Sequence, residues 1–193
     1  MHEDRFLIAG LGNPGRAFRR NRHNVGFIVL DHLAAQWNVR FTRHRFEALL
    51  TDGAIDGRPV ILAKPQTYMN LVGRSVAALA RYFRIPNDHV LIIFDDLDLP
   101  MGTLRLRGSG GSAGHKGLTS ILEHLGTQDV PRLRVGISRP PGSMDPADYV
   151  LQDFSEGEWE AMQPNLDRSL DCIRTWIVEG IAAAMNRFNP PPD

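Results

Sequence analysis

A chain of 193 residues, 42% hydrophobic and 23% charged, is long enough to bury one α/β core, and residues 1–193 read as a single domain. Its 22 basic and 22 acidic residues cancel, which excludes a protein coated all over with positive charge but leaves room for a local phosphate-binding patch. One cysteine, Cys172, excludes an intrachain disulfide and points to the cytoplasm, and no apolar run approaches the ~20 residues of a membrane span.

The opening Met1-His2-Glu3-Asp4 lacks the cationic and apolar regions of a signal peptide. Residues 6–10 form a short apolar run expected to be a buried strand. A glycine-punctuated turn, Gly10-Leu11-Gly12-Asn13-Pro14-Gly15, and four arginines, Arg16, Arg19, Arg20 and Arg22, follow. His23-Asn24 then stands before a helix over 23–38, with Val25, Ile28, Val29, Leu33 and Trp37 near helical spacing. Residues 46–63 read as a strand pair turning at Asp56-Gly57, a dipeptide suited to the positive φ of a tight hairpin. A polar loop, Lys64 to Asn70, leads to a helix whose face carries Val72, Val76, Leu79, Ala80 and Phe83, with Asn70 placed to cap it.

The continuous apolar run 90–94 predicts a central strand covered on both faces, ending at Asp95-Asp96-Leu97-Asp98. Thr103-Leu104-Arg105-Leu106-Arg107 alternates apolar and cationic residues, the pattern of a strand with one basic face. A glycine-rich loop over 108–114 closes on His115-Lys116-Gly117 and a helix over 118–125, and 133–138 is a further strand. Residues 139–155 read as a Pro- and Gly-containing connection. From Trp159 to Met185 apolar residues recur at three- or four-residue steps, predicting one long helix with Cys172 buried on it and a frayed tail over Asn189-Pro190-Pro191-Pro192. The alternation of strands and helices predicts a three-layer α/β fold, a twisted mixed sheet, largely parallel, with helices on both faces.

Four post-strand loops offer the groups for chemistry: Asn13 with His23, Asn70, the aspartates 95, 96 and 98, and His115 with Lys116. An imidazole titrates near neutral pH and serves as a general base. A carboxylate on its other nitrogen sets the tautomer, and carboxamides hold a carbonyl or a water. No serine stands in a nucleophile elbow, so the set favours His-activated water over a covalent intermediate. Other readings stay open at this point. The three aspartates could bind a metal, the 108–114 loop could cradle phosphate, and Gly10-x-Gly12-x-x-Gly15 matches a dinucleotide fingerprint, although Pro14 removes an amide and the helix starts late.

Taken together, Gly10-Leu11-Gly12-Asn13-Pro14-Gly15, Arg22-His23-Asn24-Val25-Gly26, Lys64-Pro65-x-Thr67-x-Met69-Asn70, Asp95-Asp96-Leu97-Asp98-Leu99-Pro100, Gly111-Ser112-Ala113-Gly114-His115-x-Gly117-Leu118 and Leu133-Arg134-Val135-Gly136-Ile137 occur in an order that resembles bacterial peptidyl-tRNA hydrolase from about residue 6 to the last helix. The resemblance implies a monomeric, metal- and cofactor-free hydrolase of the ester between a peptide and the tRNA 3′ end. It implies that His23 is catalytic with Asp95 as its partner. Asn13 and Asn70 would position the substrate, with Phe18, Met69, His115 and Lys116 beside it. Arg107 and Arg134, with Arg105, would hold the region of the tRNA 5′-phosphate.

Two positions depart from the family pattern: Lys116 stands where Asn is usual and Phe18 where Tyr is usual. A non-catalytic RNA-binding module on the same scaffold, similar to plant organelle splicing factors, is the main alternative, and a nucleotide-dependent oxidoreductase is a second. On this resemblance the glycine turn is a device that sets Asn13 beside His23, and Arg16 to Arg22 are solvated or peripheral.

Overall fold

The computed structural model describes residues 5–191, so the Met1-His2-Glu3-Asp4 segment and the end of the tail lie outside the described residues. Seven strands form one sheet: β1 (Phe6–Gly10), β2 (Arg43–Arg45), β3 (Ala48–Ile55), β4 (Arg58–Pro65), β5 (Val90–Asp96), β6 (Leu104–Arg107) and β7 (Arg132–Gly136). Their spatial order is β2-β3-β4-β1-β5-β7-β6. The central strands β4, β1, β5 and β7 run parallel. The outer pairings β2–β3, β3–β4 and β6–β7 are antiparallel. The sheet is therefore mixed as expected but only half parallel, because antiparallel pairings close both of its sides.

Helices cover both faces. The parallel strands are buried on both sides, so alternate residues enter different cores. Phe6, Ile8, Leu91 and Ile93 join α1 (Val25–Gln36), α5 (Glu156–Glu179) and α6 (Ile181–Phe188) in one apolar cluster. Leu7, Ala9, Ile92 and Phe94 join α2 (Val72–Tyr82) and α3 (Lys116–Leu125) in the other. On β6, Leu104 and Leu106 pack in the first core, leaving Arg105 and Arg107 on the opposite face, level with Arg134 and Arg132 of β7.

The Asp56-Gly57 hairpin forms as expected, with φ of 48° and 80° at the two turn residues. The other local expectations need revision. Asn70 does not cap α2: it lies within a 3₁₀ turn, Met69–Leu71, and Leu71 precedes the helix without a side-chain cap. The 139–155 connection contains a short helix, α4 (Pro146–Val150), started by the Asp145 carboxylate accepting from Ala147 N–H at 2.7 Å. The long C-terminal helix is two helices, broken at Gly180, whose φ of 94° a residue with a side chain rarely adopts. Asn189 is not frayed, since its side chain bonds to Leu106 of β6. Cys172 is fully buried as expected, and burial pushes its thiol pKa up to about 12.

Close backbone contact puts the functional loops in register. A Cβ on Gly26 would stand 2.3 Å from the Ile93 carbonyl and 2.4 Å from the Leu11 amide, and one on Gly10 would meet the Gly26 carbonyl at 2.3 Å. The glycines of the first turn thus let α1 start directly against β1 and β5. That contact, rather than a pyrophosphate, accounts for Gly10, and it delivers His23 to the end of β5.

Candidate active site

A cleft of about 1200 Å³ opens at the carboxyl ends of the parallel strands, where open α/β sheets place their ligands. It continues over the arginine-bearing face of β7 and β6. His23, Asp95, Asn13, Met69, Asn70, His115, Lys116, Arg107 and Arg134 all line it. Four chain segments that are far apart in sequence therefore converge, as the sequence reading expects.

At its centre lies Asp95, buried at the last turn of β5 rather than in a solvent-facing loop. His23 faces it through Nδ1, at 2.8 Å from one carboxylate oxygen and 3.0 Å from the other. His115 faces the same carboxylate through Nε2 at 3.2 Å, while its Nδ1 accepts the Leu118 N–H at 3.2 Å and caps α3. This network assigns the tautomers. Nδ1–H of His23 donates to Asp95, leaving Nε2 with its lone pair, and His115 donates from Nε2. Both ring nitrogens of His115 are engaged within the protein, while its ring lines the cleft.

Burial tends to raise the Asp95 pKa, but the two histidines outweigh it and hold the carboxyl well below the usual carboxylate range. For His23, burial pulls the pKa down most strongly. The Asp95 charge and hydrogen bond together overcome it, and the pKa ends above the ordinary imidazole value. The Lys116 cation opposes that rise.

Asn24 is a supporting residue that the sequence reading did not single out. Its side chain accepts from Asn13 N–H at 2.8 Å and donates to the Asn13 carbonyl at 2.9 Å. The Asn13 backbone is gripped on both sides, so its own carboxamide is aimed at the cleft by the residue next to His23. Met69 occupies space that Gly117 leaves free, since a Cβ there would stand 2.6 Å from the Met69 sulfur.

Phe18 is not brought to the cleft; it lies in the 3₁₀ turn Arg16–Phe18 with its ring toward Gly15. Arg105 also falls outside the main cleft and lines a smaller one behind β6.

Arg22, expected to be peripheral, is buried. It bonds Glu158 at 2.7 Å and the Tyr149 carbonyl at 3.1 Å, and its guanidinium stacks 4.1 Å from the Tyr149 ring centre. It ties α4, which walls the cleft through Pro146, Ala147 and Val150, to the loop carrying His23. Arg132 was also missed: it is buried and donates to the carbonyls of Gly110, Gly111, Gln128 and Val130 at 2.7–3.2 Å, bracing the glycine loop. Arg22 carried no local signal because its partners lie up to 136 positions away, whereas those of Arg132 lie 2 to 22 positions away but are backbone carbonyls that no side-chain pattern marks.

The aspartates do not gather around a common point. Asp96 is ion-paired with Arg134 and Asp98 with Arg139. Among the described residues, the groups close enough to share a cation are His23, Asp95 and His115, whose ligand atoms lie within 4.8 Å of one another. In the present arrangement those atoms satisfy each other by hydrogen bonds. No described helix is long and apolar enough to cross a membrane.

The family model described as peptidyl-tRNA hydrolase matches residues 7–193. The chain belongs to the peptidyl-tRNA hydrolase family. It is 48% identical to a peptidyl-tRNA hydrolase of Chloroflexus aurantiacus over 96% of this chain and 99% of that one. It is 46% identical to one of Rhodococcus opacus over 98% and 100%. The crystal structure of peptidyl-tRNA hydrolase from Acinetobacter baumannii superposes with a TM-score of 0.90 at 33% identity, covering 97% of this chain and 95% of that one. Nothing among these relatives favours the oxidoreductase or the non-catalytic module.

Proposed function

We propose that this chain hydrolyses the ester joining a peptide, or an N-blocked aminoacyl group, to the 3′ end of tRNA, freeing the tRNA for reuse in translation. It acts as a single-domain monomer in the cytoplasm and needs neither metal nor cofactor. The observation that carries this reading is the His23–Asp95 pair at 2.8 Å, in a cleft that also presents Asn13 and Asn70.

Held by Asp95, the His23 ring offers Nε2 to a water molecule. It takes the water proton as the oxygen attacks the ester carbonyl, and Asp95 stabilises the imidazolium that results. Asn13 and Asn70 supply neutral amide donors for the developing oxyanion. Collapse breaks the bond to the ribose 3′ oxygen, which receives the proton from His23. The products are a peptide carboxylate and a tRNA 3′ hydroxyl. His115 serves as a positioning residue, holding Asp95 from its other side.

Met69 forms part of the floor under the scissile group. Lys116 meets RNA phosphate near the 3′ end, and Arg107 and Arg134 meet the 5′-phosphate region, with Arg105 close by. Because only the acceptor end is gripped, zero net charge is no obstacle.

The test is release of peptide from N-acetyl-aminoacyl-tRNA, with and without a chelator. Hydrolysis should survive the chelator and fall on the order of 10²–10⁴-fold in His23→Ala, the range for losing a general base. No turnover by the wild type would overturn the reading, and loss with chelator would overturn metal independence.

A further inference from the structure

Behind β6 lies a second cleft of about 470 Å³, formed between that strand and the C-terminal tail. Arg105, Arg107, Met185, Asn186, Asn189 and the prolines 190 and 191 line it, and among the described residues no acidic side chain does. Arg107 lines both clefts, so the two adjoin at its side chain.

What distinguishes this corner, among the described residues, is two unpaired arginines two residues apart on one strand face. Arg22, Arg43, Arg74, Arg134, Arg139, Arg174 and Arg187 are each ion-paired with a carboxylate. Among the described residues, Arg105 and Arg107 have no such partner, although Arg105 is half-buried. Two neighbouring cations without a counter-charge repel each other, and an anion between them relieves that repulsion.

β6 is an edge strand, and one side of its backbone faces away from β7. Asn189 occupies that side. Its Oδ1 accepts the Leu106 N–H at 2.6 Å, and its Nδ2 donates to the Leu106 carbonyl at 2.9 Å. One carboxamide thus stands in for a peptide unit of a missing neighbouring strand. Leu106 is the residue between the two arginines, and its side chain is fully buried. Once its backbone is fixed on this side as well, Arg105 and Arg107 project from one face at the two-residue strand repeat, roughly 6.6 Å. That is near the separation of adjacent phosphates along a nucleic-acid strand.

We propose that this second cleft holds a backbone phosphate of the RNA beyond the one at Arg134, and that Asn189 is the positioning residue that builds it. The proposal rests on reading the main cleft as a site for tRNA.

The dissociation constant of uncharged tRNA, measured against KCl concentration, tests it. Each lost phosphate contact lowers the slope of log Kd on log salt by about 0.7–0.9. Arg105→Ala should lower the slope by about that amount. Asn189→Ala should do the same, and the double variant should lose no more than either single one, because both remove one contact. A purely structural asparagine would shift the midpoint of thermal unfolding and leave the slope alone. Asn189→Asp keeps the acceptor for Leu106 N–H, so it serves if the alanine variant does not fold. Its anion beside the arginines should also lower the slope.

An unchanged slope in a folded Asn189 variant, or additive losses in the double variant, would overturn the proposal. A wild type that binds tRNA without hydrolysing its ester would instead defeat the proposed activity and leave this inference standing.

Discussion

Asp95 and Arg107 line the same cleft, and the fold treats them differently. Asp95 is buried and accepts from two imidazoles, so each of its neighbours is held in one orientation. Arg107 is exposed and has no carboxylate partner among the described residues. Groups that must be aimed before substrate arrives are satisfied within the protein. On the proposed function, groups that must neutralise substrate charge are left with their charge available. Arg134 stands between the two regimes: it reaches the cleft, yet it is already paired with Asp96. It offers an incoming phosphate only what that carboxylate does not use.

Several substitutions would break or sharpen this contrast. The largest effect is expected from Asp95→Asn, which keeps the shape but can stabilise neither the tautomer nor the imidazolium. Single-turnover hydrolysis should fall on the order of 10³–10⁴-fold, as for the carboxylate of a Ser-His-Asp triad. A loss under tenfold would mean that the buried carboxylate is only a structural element.

Arg107→Ala should raise KM by about 5- to 150-fold, the range of 1–3 kcal/mol for a lost nucleic-acid contact, with the change much reduced on tRNA bearing a 5′ hydroxyl. Arg134→Ala should show the same dependence on the 5′-phosphate. It should also lower the thermal midpoint, because it leaves the buried Asp96 carboxylate without its cation. Indifference of Arg134→Ala to the 5′-phosphate would remove it from the RNA grip.

A smaller effect follows from Lys116. Its cation lowers the His23 pKa against the pull of Asp95. In Lys116→Asn the pKa should rise further, and the acid limb of the pH–kcat profile should move to higher pH. An unmoved limb would show that Lys116 does not act on His23.

The smallest effect is on stability. The His23 pKa is raised in the folded state, so its pairing with Asp95 contributes fully below the unfolded value near 6.5 and is lost as pH rises through the folded value. The urea midpoint of the wild type should decline over that window, and that of His23→Ala should decline less. Equal declines would assign the pH dependence to other groups.

Much of the frame was legible in the chain. The apolar runs of β1 and β5 and the Asp56-Gly57 turn are local signals, and each formed where expected. β2 escaped notice because Arg43-His44-Arg45 is an exposed edge without an apolar face. α4 escaped because five residues hold too little periodicity to read. The break at Gly180 was hidden because the apolar spacing continues across it into α6. Asp95 and Asp96 read as loop carboxylates, and only the packed sheet shows that both are buried.

By itself the sequence determined which segments become strands and helices and which polar residues follow each strand, since period and turn chemistry act over a few residues. It also placed the chain in its family, because six motifs stand in a single order. The tertiary structure alone decided which of those residues are free to act. Arg22, Arg132 and His115 spend their hydrogen bonds inside the protein, Phe18 does not line the cleft, and Arg105 opens onto a separate one. The physical reason is that a charge or an imidazole is committed by whatever folds against it. For Arg22 and Asn189 those partners lie 136 and 83 positions along the chain, beyond any local pattern.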